Sequence, residues 1–220
     1  MRNLILRILS ALVMAGVALA ALWTGGYVWL VLLAIGGILA AREWIGLARA
    51  LHLNWPAAVA AGILWLAPIL LALSWLRLDL ADGFWMTLYV LVVVAATDTG
   101  GYVFGRTIGG PKLLPRISPK KTWAGLGGAI LFGAAAGEGI SRASGIPWIM
   151  GEGFLTGPAF IGGVLVIVSQ AGDFFESWLK RRAGLKDSGH LIPGHGGLLD
   201  RIDGLLFAAP VFVLAVICFT

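Results

Sequence analysis

The sequence predicts an all-α fold: a polytopic bundle of about seven membrane helices. Three observations carry this. Of 220 residues, 59% are hydrophobic and 12% charged, against roughly 25% charged in an average soluble domain. The mean hydropathy is +0.92, and a soluble chain this apolar could not cover its surface with polar groups. Ten Trp and 32 Gly fit the same setting, because Trp collects at bilayer interfaces and Gly lets helices approach closely in lipid.

Apolar runs occur at Leu4–Trp23, Tyr27–Ala41, Pro56–Leu76, Phe84–Thr97, Ala124–Ile140, Pro158–Gly172 and Gly204–Phe219. Each reads as a membrane helix, since a helix satisfies its own backbone hydrogen bonds in lipid. Several fall short of the roughly 20 residues a span needs, so they are expected to borrow turns from polar flanks. The first run has two readings. Arg2 and Arg7, the apolar stretch and Ala18-Leu19-Ala20 resemble a cleavable signal peptide. The run is also long enough to stay as the first helix. The single cysteine, Cys218, rules out an intramolecular disulfide and is expected to pack in its apolar run.

Charge placement sets the orientation. With a cytoplasmic N-terminus and seven crossings, Arg2, Arg7, Arg42, Arg49, Arg106, Lys112, Arg116, Lys120, Lys121, Lys180, Arg181, Arg182, Lys186 and Arg201 fall inside. Of the 16 basic residues only Arg77 and Arg142 fall outside. This asymmetry follows the positive-inside rule. The net charge of +5 is thereby explained by topology, and no nucleic-acid partner is expected. One membrane domain spanning 1–220 is the simplest organisation. Residues 1–97 form N-terminal helices, and 98–220 form a catalytic part with cytoplasmic segments 98–123 and 173–203.

The second segment carries the densest chemistry. Asp173, Ser177 and Lys180 are spaced i, i+4, i+7 and share a helix face. Glu176 lies off that face and is expected to be a mild position. Lys186-Asp187, a loop with His195-Gly196-Gly197, and Asp200-Arg201-Ile202-Asp203 follow. Carboxylates without a Cys/His cluster suit Mg²⁺, which takes one or two of them and fills its shell with water and phosphate oxygens. Neighbouring Lys and Arg suit a polyphosphate, and glycines let backbone N–H groups close on phosphate oxygens. Together these describe phosphoryl or nucleotidyl transfer. Taken alone, Lys180-Arg181-Arg182 reads as a membrane-side anchor and His195 as a common loop residue. Asp173 follows an apolar run, where an acid is functional by default.

The first segment adds Asp98-Thr99-Gly100-Gly101-Tyr102, Gly105-Arg106 and Ser118-Pro119-Lys120-Lys121-Thr122-Trp123. Lysines beside a helix N-terminus make a phosphate site. Ordinary capping by Ser or Thr with topology lysines accounts equally well for the same residues. For Asp98, the structural alternative is a pairing with a lysine or arginine.

These residues resemble the phosphatidate cytidylyltransferase family. Its signature runs Ser-x-apolar-Lys-Arg, four residues, Lys-Asp, then Pro-x-His-Gly-Gly-apolar-x-Asp-Arg-apolar-Asp. Ser177, Leu179, Lys180, Arg181, Lys186, Asp187, Pro193, His195, Gly196, Gly197, Leu198, Asp200, Arg201, Ile202 and Asp203 fill it. The likeness covers roughly Asp98 to Asp203 and beyond. Before Asp98 it is general, and the N-terminal half is expected to be shorter than in many members. The resemblance implies transfer of the cytidylyl group of CTP to phosphatidic acid, giving CDP-diacylglycerol and pyrophosphate at the inner face of a bacterial-type inner membrane. A divalent cation, Mg²⁺ with room for a second, is implied, and a homodimer is possible.

Position by position, Asp173 and Asp200 resemble metal carboxylates, with Asp203 beside them. Lys121, Ser177 and Lys180 resemble catalytic phosphate-side residues. Ser118, Lys120, Thr122, Arg181, Lys186, Asp187, His195, Gly196, Gly197, Arg201 and Asp98 resemble the substrate-binding set. Asp173 and Asp200 are expected to face the surface. A CDP-alcohol phosphotransferase or CTP-dependent lipid kinase is the enzymatic alternative. The former expects a denser aspartate run on two facing helices. A cation-coupled transporter is the non-enzymatic one, but its site would lie near the midplane.

Overall fold

The structure is a computed structural model that describes residues 2–151, 153–192, 194 and 196–219, with side chains from residue 9 onward. Among the described residues there are seven helices: α1 (Arg2–Thr24), α2 (Gly26–Ala50), α3 (Trp55–Leu78), α4 (Gly83–Thr107), α5 (Trp123–Ser144), α6 (Pro158–Arg182) and α7 (Leu199–Phe219). A hairpin of β1 (Lys112–Leu114) and β2 (Ser118–Thr122) sits between α4 and α5. Six helices, α2 to α7, are long and apolar enough to cross a bilayer, and the protein is an integral membrane protein.

The helices outrun the apolar runs that announce them. α4 continues to Thr107, so Asp98 lies inside it, and α6 continues to Arg182 through Asp173, Ser177 and Lys180. The polar turns are the membrane-proximal ends of spanning helices, as the short apolar runs require.

The chain packs as two compact units. Residues 1–84 and 176–203 make the first; 85–175 and 204–220 make the second. In the first, α2 and α3 are stapled by indoles. Trp29 Nε1 donates to the Leu73 carbonyl at 3.0 Å and Trp44 Nε1 to the Ala58 carbonyl at 2.8 Å. Without those acceptors, a buried N–H in lipid would be left unsatisfied at a cost of several kcal/mol. Trp44 also meets Trp65 edge-on at 5.2 Å. Asn54 caps α3 by accepting from Ala57 N at 3.0 Å, the expected work of an Asn N-cap. Arg77 donates from Nε to the Leu22 carbonyl at 2.8 Å, satisfying an orphan carbonyl at the end of α1.

In the second unit α4 and α5 touch backbone to backbone. A Cβ on Gly100 would stand 2.5 Å from the Gly128 carbonyl oxygen, and one on Gly125 would stand 3.0 Å from that of Gly101. Glycine is needed there for space, as helices in lipid use small residues to approach. Tyr89, fully buried, lies between Phe212 at 5.1 Å and Trp148 at 4.8 Å, and its hydroxyl donates to the Pro158 carbonyl at 2.5 Å.

Candidate active site

Each unit holds a lysine–carboxylate cluster. In the second unit, Lys121 lies near the end of β2, just before α5. Its Nζ donates to Gln170 Oε1 at 2.8 Å, pairs closely with Asp173 Oδ2, and stands 4.6 Å from the centre of the Phe174 ring. Gln170 and Asp173 sit one turn apart on α6, so a single lysine reaches both. Lys121 lines a cavity of about 440 Å³ together with Asp98, Tyr102, Arg106, Lys120 and Gln170. Thr122 also lines it, but its hydroxyl is the N-cap of α5, accepting from Gly125 N at 3.0 Å. The capping reading of Thr122 is therefore realised. Ser118 begins β2 and pairs in register with Leu114, and Lys120 is exposed.

The hairpin thus converts a run of two lysines into a directed group. One lysine faces water, and its neighbour turns onto α6, because successive strand residues point to opposite sides. Gly101 and Gly105 border the same cavity, and both also face Gly125 of α5.

The first unit's cluster is built on the end of α6, the following loop and the start of α7. Gly184, at φ +70°, ends α6. Gly184 N donates to the Arg181 carbonyl at 3.1 Å and Leu185 N to the Lys180 carbonyl at 2.8 Å, the paired bonds of a Schellman cap. Lys180 Nζ lies 2.5 Å from Asp200 Oδ1 and 3.1 Å from Glu176 Oε2, the latter without hydrogen-bond alignment. Asp200 Oδ2 also accepts from Ser188 N at 3.0 Å and Gly197 N at 2.8 Å. Gly196, at φ +85°, leaves no room for a Cβ, which would stand 2.8 Å from Asp200 Oδ2.

Two expectations are corrected here. Asp200 does not face the surface: its side chain is 6% exposed, because it ties the loop to Lys180. Glu176 is not outlying: it is fully buried, because Lys180 sits one turn on and pairs with it.

Arg181, Lys186, Asp187 and Arg201 are exposed, Ser177 and Asp203 half-buried. Arg181 Nη1 reaches the Leu185 carbonyl at 3.5 Å. The expected sites at Pro193 and His195 lie outside the described residues.

A further residue escaped the sequence reading. Glu43, on α2, is buried. Its Oε1 accepts from Leu198 N at 2.9 Å, and its Oε2 accepts from Leu199 N at 2.8 Å and Ser188 Oγ at 3.1 Å. A Cβ on Gly189 would stand 2.7 Å from Glu43 Oε1. The signal was present: a lone acid in a membrane helix, between Arg42 and Trp44, is the same kind of acid that marks Asp173.

Residues 57–219 match the profile of the cytidylyltransferase family. The chain belongs to the cytidylyltransferase family. A Brucella suis protein named phosphatidate cytidylyltransferase is 46% identical over 162 residues, covering 73% of this chain and 56% of that protein. One from Rickettsia felis with the same name is 34% identical over 216 residues, covering 96% of this chain and 91% of its own length. One from Haemophilus influenzae, again so named, is 40% identical over 134 residues. The chain spans little more than half the length of the Brucella relative. Both lysine–carboxylate clusters fall within the matched residues of this cytidylyltransferase family chain, whereas Glu43 falls outside them.

As to a metal, no group of three or more His, Cys, Asp or Glu able to hold an ion occurs among the described residues. Mg²⁺ takes one or two protein carboxylates and leaves the rest of its shell to water and phosphate. Asp173, partly exposed with Gln170 beside it and sharing Lys121 with it, offers hard oxygen donors of that kind at an open position and fits. Asp200 fits less well, since Lys180 and two backbone N–H groups already occupy its oxygens.

Proposed function

We propose that the protein transfers the cytidylyl group of CTP to phosphatidic acid at the cytoplasmic face of the membrane, forming CDP-diacylglycerol and pyrophosphate. The observation that carries this is Lys121, fixed by Gln170 and Asp173 on the wall of a cavity that Lys120 and Arg106 also line. Such a group of cations beside a carboxylate at a spanning helix suits a polyanionic substrate meeting a lipid. The names of the relatives from Brucella suis and Rickettsia felis support the same substrate pair.

In the proposed reaction a phosphate oxygen of the lipid attacks the α-phosphorus of CTP. A new P–O bond forms, and the bond to the β-phosphate oxygen breaks, releasing pyrophosphate. A phosphate monoester is largely ionised near neutral pH, its second pKa being about 6, so the reaction calls for no strong general base. What the chain supplies is alignment and charge neutralisation. Lys121 and Lys120 offset repulsion between the two anions. Asp173 is the residue that would hold a divalent cation, which would neutralise the triphosphate. The concentration of basic residues on one side of the spans, under the positive-inside rule, supports a cytoplasmic site.

The test is direct. Purified protein is incubated with CTP, phosphatidic acid and Mg²⁺, and product is followed by lipid chromatography and pyrophosphate release. CDP-diacylglycerol with equimolar pyrophosphate is expected. Absence of both across several acyl compositions and metals would refute the proposal.

A further inference from the structure

We propose that Glu43 of α2 is a positioning residue for the site, holding the loop that carries Ser188 and Gly197 and leads into Asp200 of α7. This rests on the function proposed above and extends it to a residue outside the family-matched segment.

A helix leaves its first N–H groups without intrahelical partners, and a carboxylate is the strongest acceptor for them. At α7 the expected acceptor would be a local Ser, Thr or Asp, but Leu198 stands at that position. Glu43 fills the role from another helix, far away in sequence. One carboxylate takes Leu198 N and Leu199 N, and with its second oxygen also takes Ser188 Oγ. Ser188 N in turn donates to Asp200. Glu43 and Asp200 therefore grip the same loop at Ser188, Glu43 through the hydroxyl and Asp200 through the amide. Gly197 and Gly189 complete the fit, because a Cβ on either would collide with Glu43. Three acceptor contacts on one buried side chain are more than helix packing requires. They fix where the α7 N-terminus begins and hence where Asp200 stands.

The experiment compares the full-length wild type with Glu43→Gln, Glu43→Ala and Ser188→Ala in detergent. Hydrogen exchange of peptides covering 186–199 reads the clasp, with the hairpin 112–122 as internal control. Loss of a hydrogen bond to a charged group should speed exchange of the loop amides about tenfold or more, with Ser188→Ala giving a smaller step. The hairpin should not change. The kcat for CDP-diacylglycerol formation at saturating substrates should fall about tenfold or more in Glu43→Gln, since displacement of about 1 Å can lose up to ~100-fold.

Unchanged exchange in the loop would overturn the proposal. So would equal acceleration in the hairpin, which would mean general loosening, or an unchanged kcat in a loosened loop. An inactive wild type would instead refute the proposed reaction, leaving hydrogen exchange alone to decide whether Glu43 holds the loop.

Discussion

Replacing Lys180 by Met should destabilise the protein more than replacing its partner Glu176 by Gln, and the structure gives the reason. Counted as ionised groups, Glu176, Lys180 and Asp200 carry two negative charges and one positive. Their side chains are 0%, 10% and 6% exposed, so water screens them little. At an effective dielectric of about 20, separations of 3.1 and 2.5 Å correspond to gross attractions of about 5 and 7 kcal/mol. Desolvation offsets much of this. What survives on deleting one partner of a buried pair is about 3–5 kcal/mol, because a charge is left uncompensated.

Lys180→Met leaves two such carboxylates and should lose that amount. Glu176→Gln leaves Lys180 and Asp200 as a balanced pair, and should lose only the ~1–3 kcal/mol of an imperfectly satisfied buried polar group. Thermal unfolding in mild detergent, followed by Trp fluorescence, should rank the variants wild type, Glu176→Gln, Lys180→Met, with the last lower in Tm by on the order of 10 °C. The double variant should not restore the wild-type value, because Asp200 still lacks its lysine. If Lys180→Met melts within about 1 kcal/mol of wild type, or Glu176→Gln is the worse of the two, the charge count is wrong.

Three further outcomes are expected. Asp173→Asn should lower CDP-diacylglycerol formation about 100- to 1000-fold without unfolding the protein, because Asp173 is partly exposed and supplies charge rather than packing; near-normal rates would remove it from the site. Gly100→Ala should destabilise by about 1–3 kcal/mol, its Cβ meeting the Gly128 carbonyl, while Gly127→Ala, which points into open space, should be neutral or stabilising in a Tm measurement. Cysteines placed at Lys120 and Lys186, in a chain with Cys218 replaced, should escape membrane-impermeant labels added to intact cells; labelling of either would reverse the orientation.

The fold was legible because lipid imposes strong rules. Apolar runs must be helices, and the described residues form seven of them, six long and apolar enough to span. Their ends were not legible. Asp98 and Asp173 read as lying beyond the membrane runs because polar side chains interrupt the hydropathy, yet the spanning helices continue through them as α4 and α6. Lys121 was visible as chemistry but not as geometry. Only the hairpin, with Lys112 opposite Thr122, turns it away from Lys120 and onto α6. Burial was the least legible quantity. Glu176 and Asp200 look like surface acids in a sequence, and it is the shared Lys180 that draws them inward.

Glu43 shows most clearly why the site extends beyond its motif. The signature residues from Ser177 to Asp203 contain their own lysine, aspartates and glycines, and they appear self-sufficient in sequence. In the structure the loop among them has a gap that none of the described ones fills. The amides of Leu198 and Leu199 need an acceptor, Leu198 cannot provide one, and Asp200 is already engaged with Lys180, Ser188 and Gly197. The acceptor comes from α2. An N-terminal helix whose sequence reads only as a membrane anchor therefore contributes a polar contact on which the geometry of the loop depends. A variant lacking the first helices should for that reason lose more than membrane insertion: even if its remaining helices insert, the start of α7 would lack its acceptor.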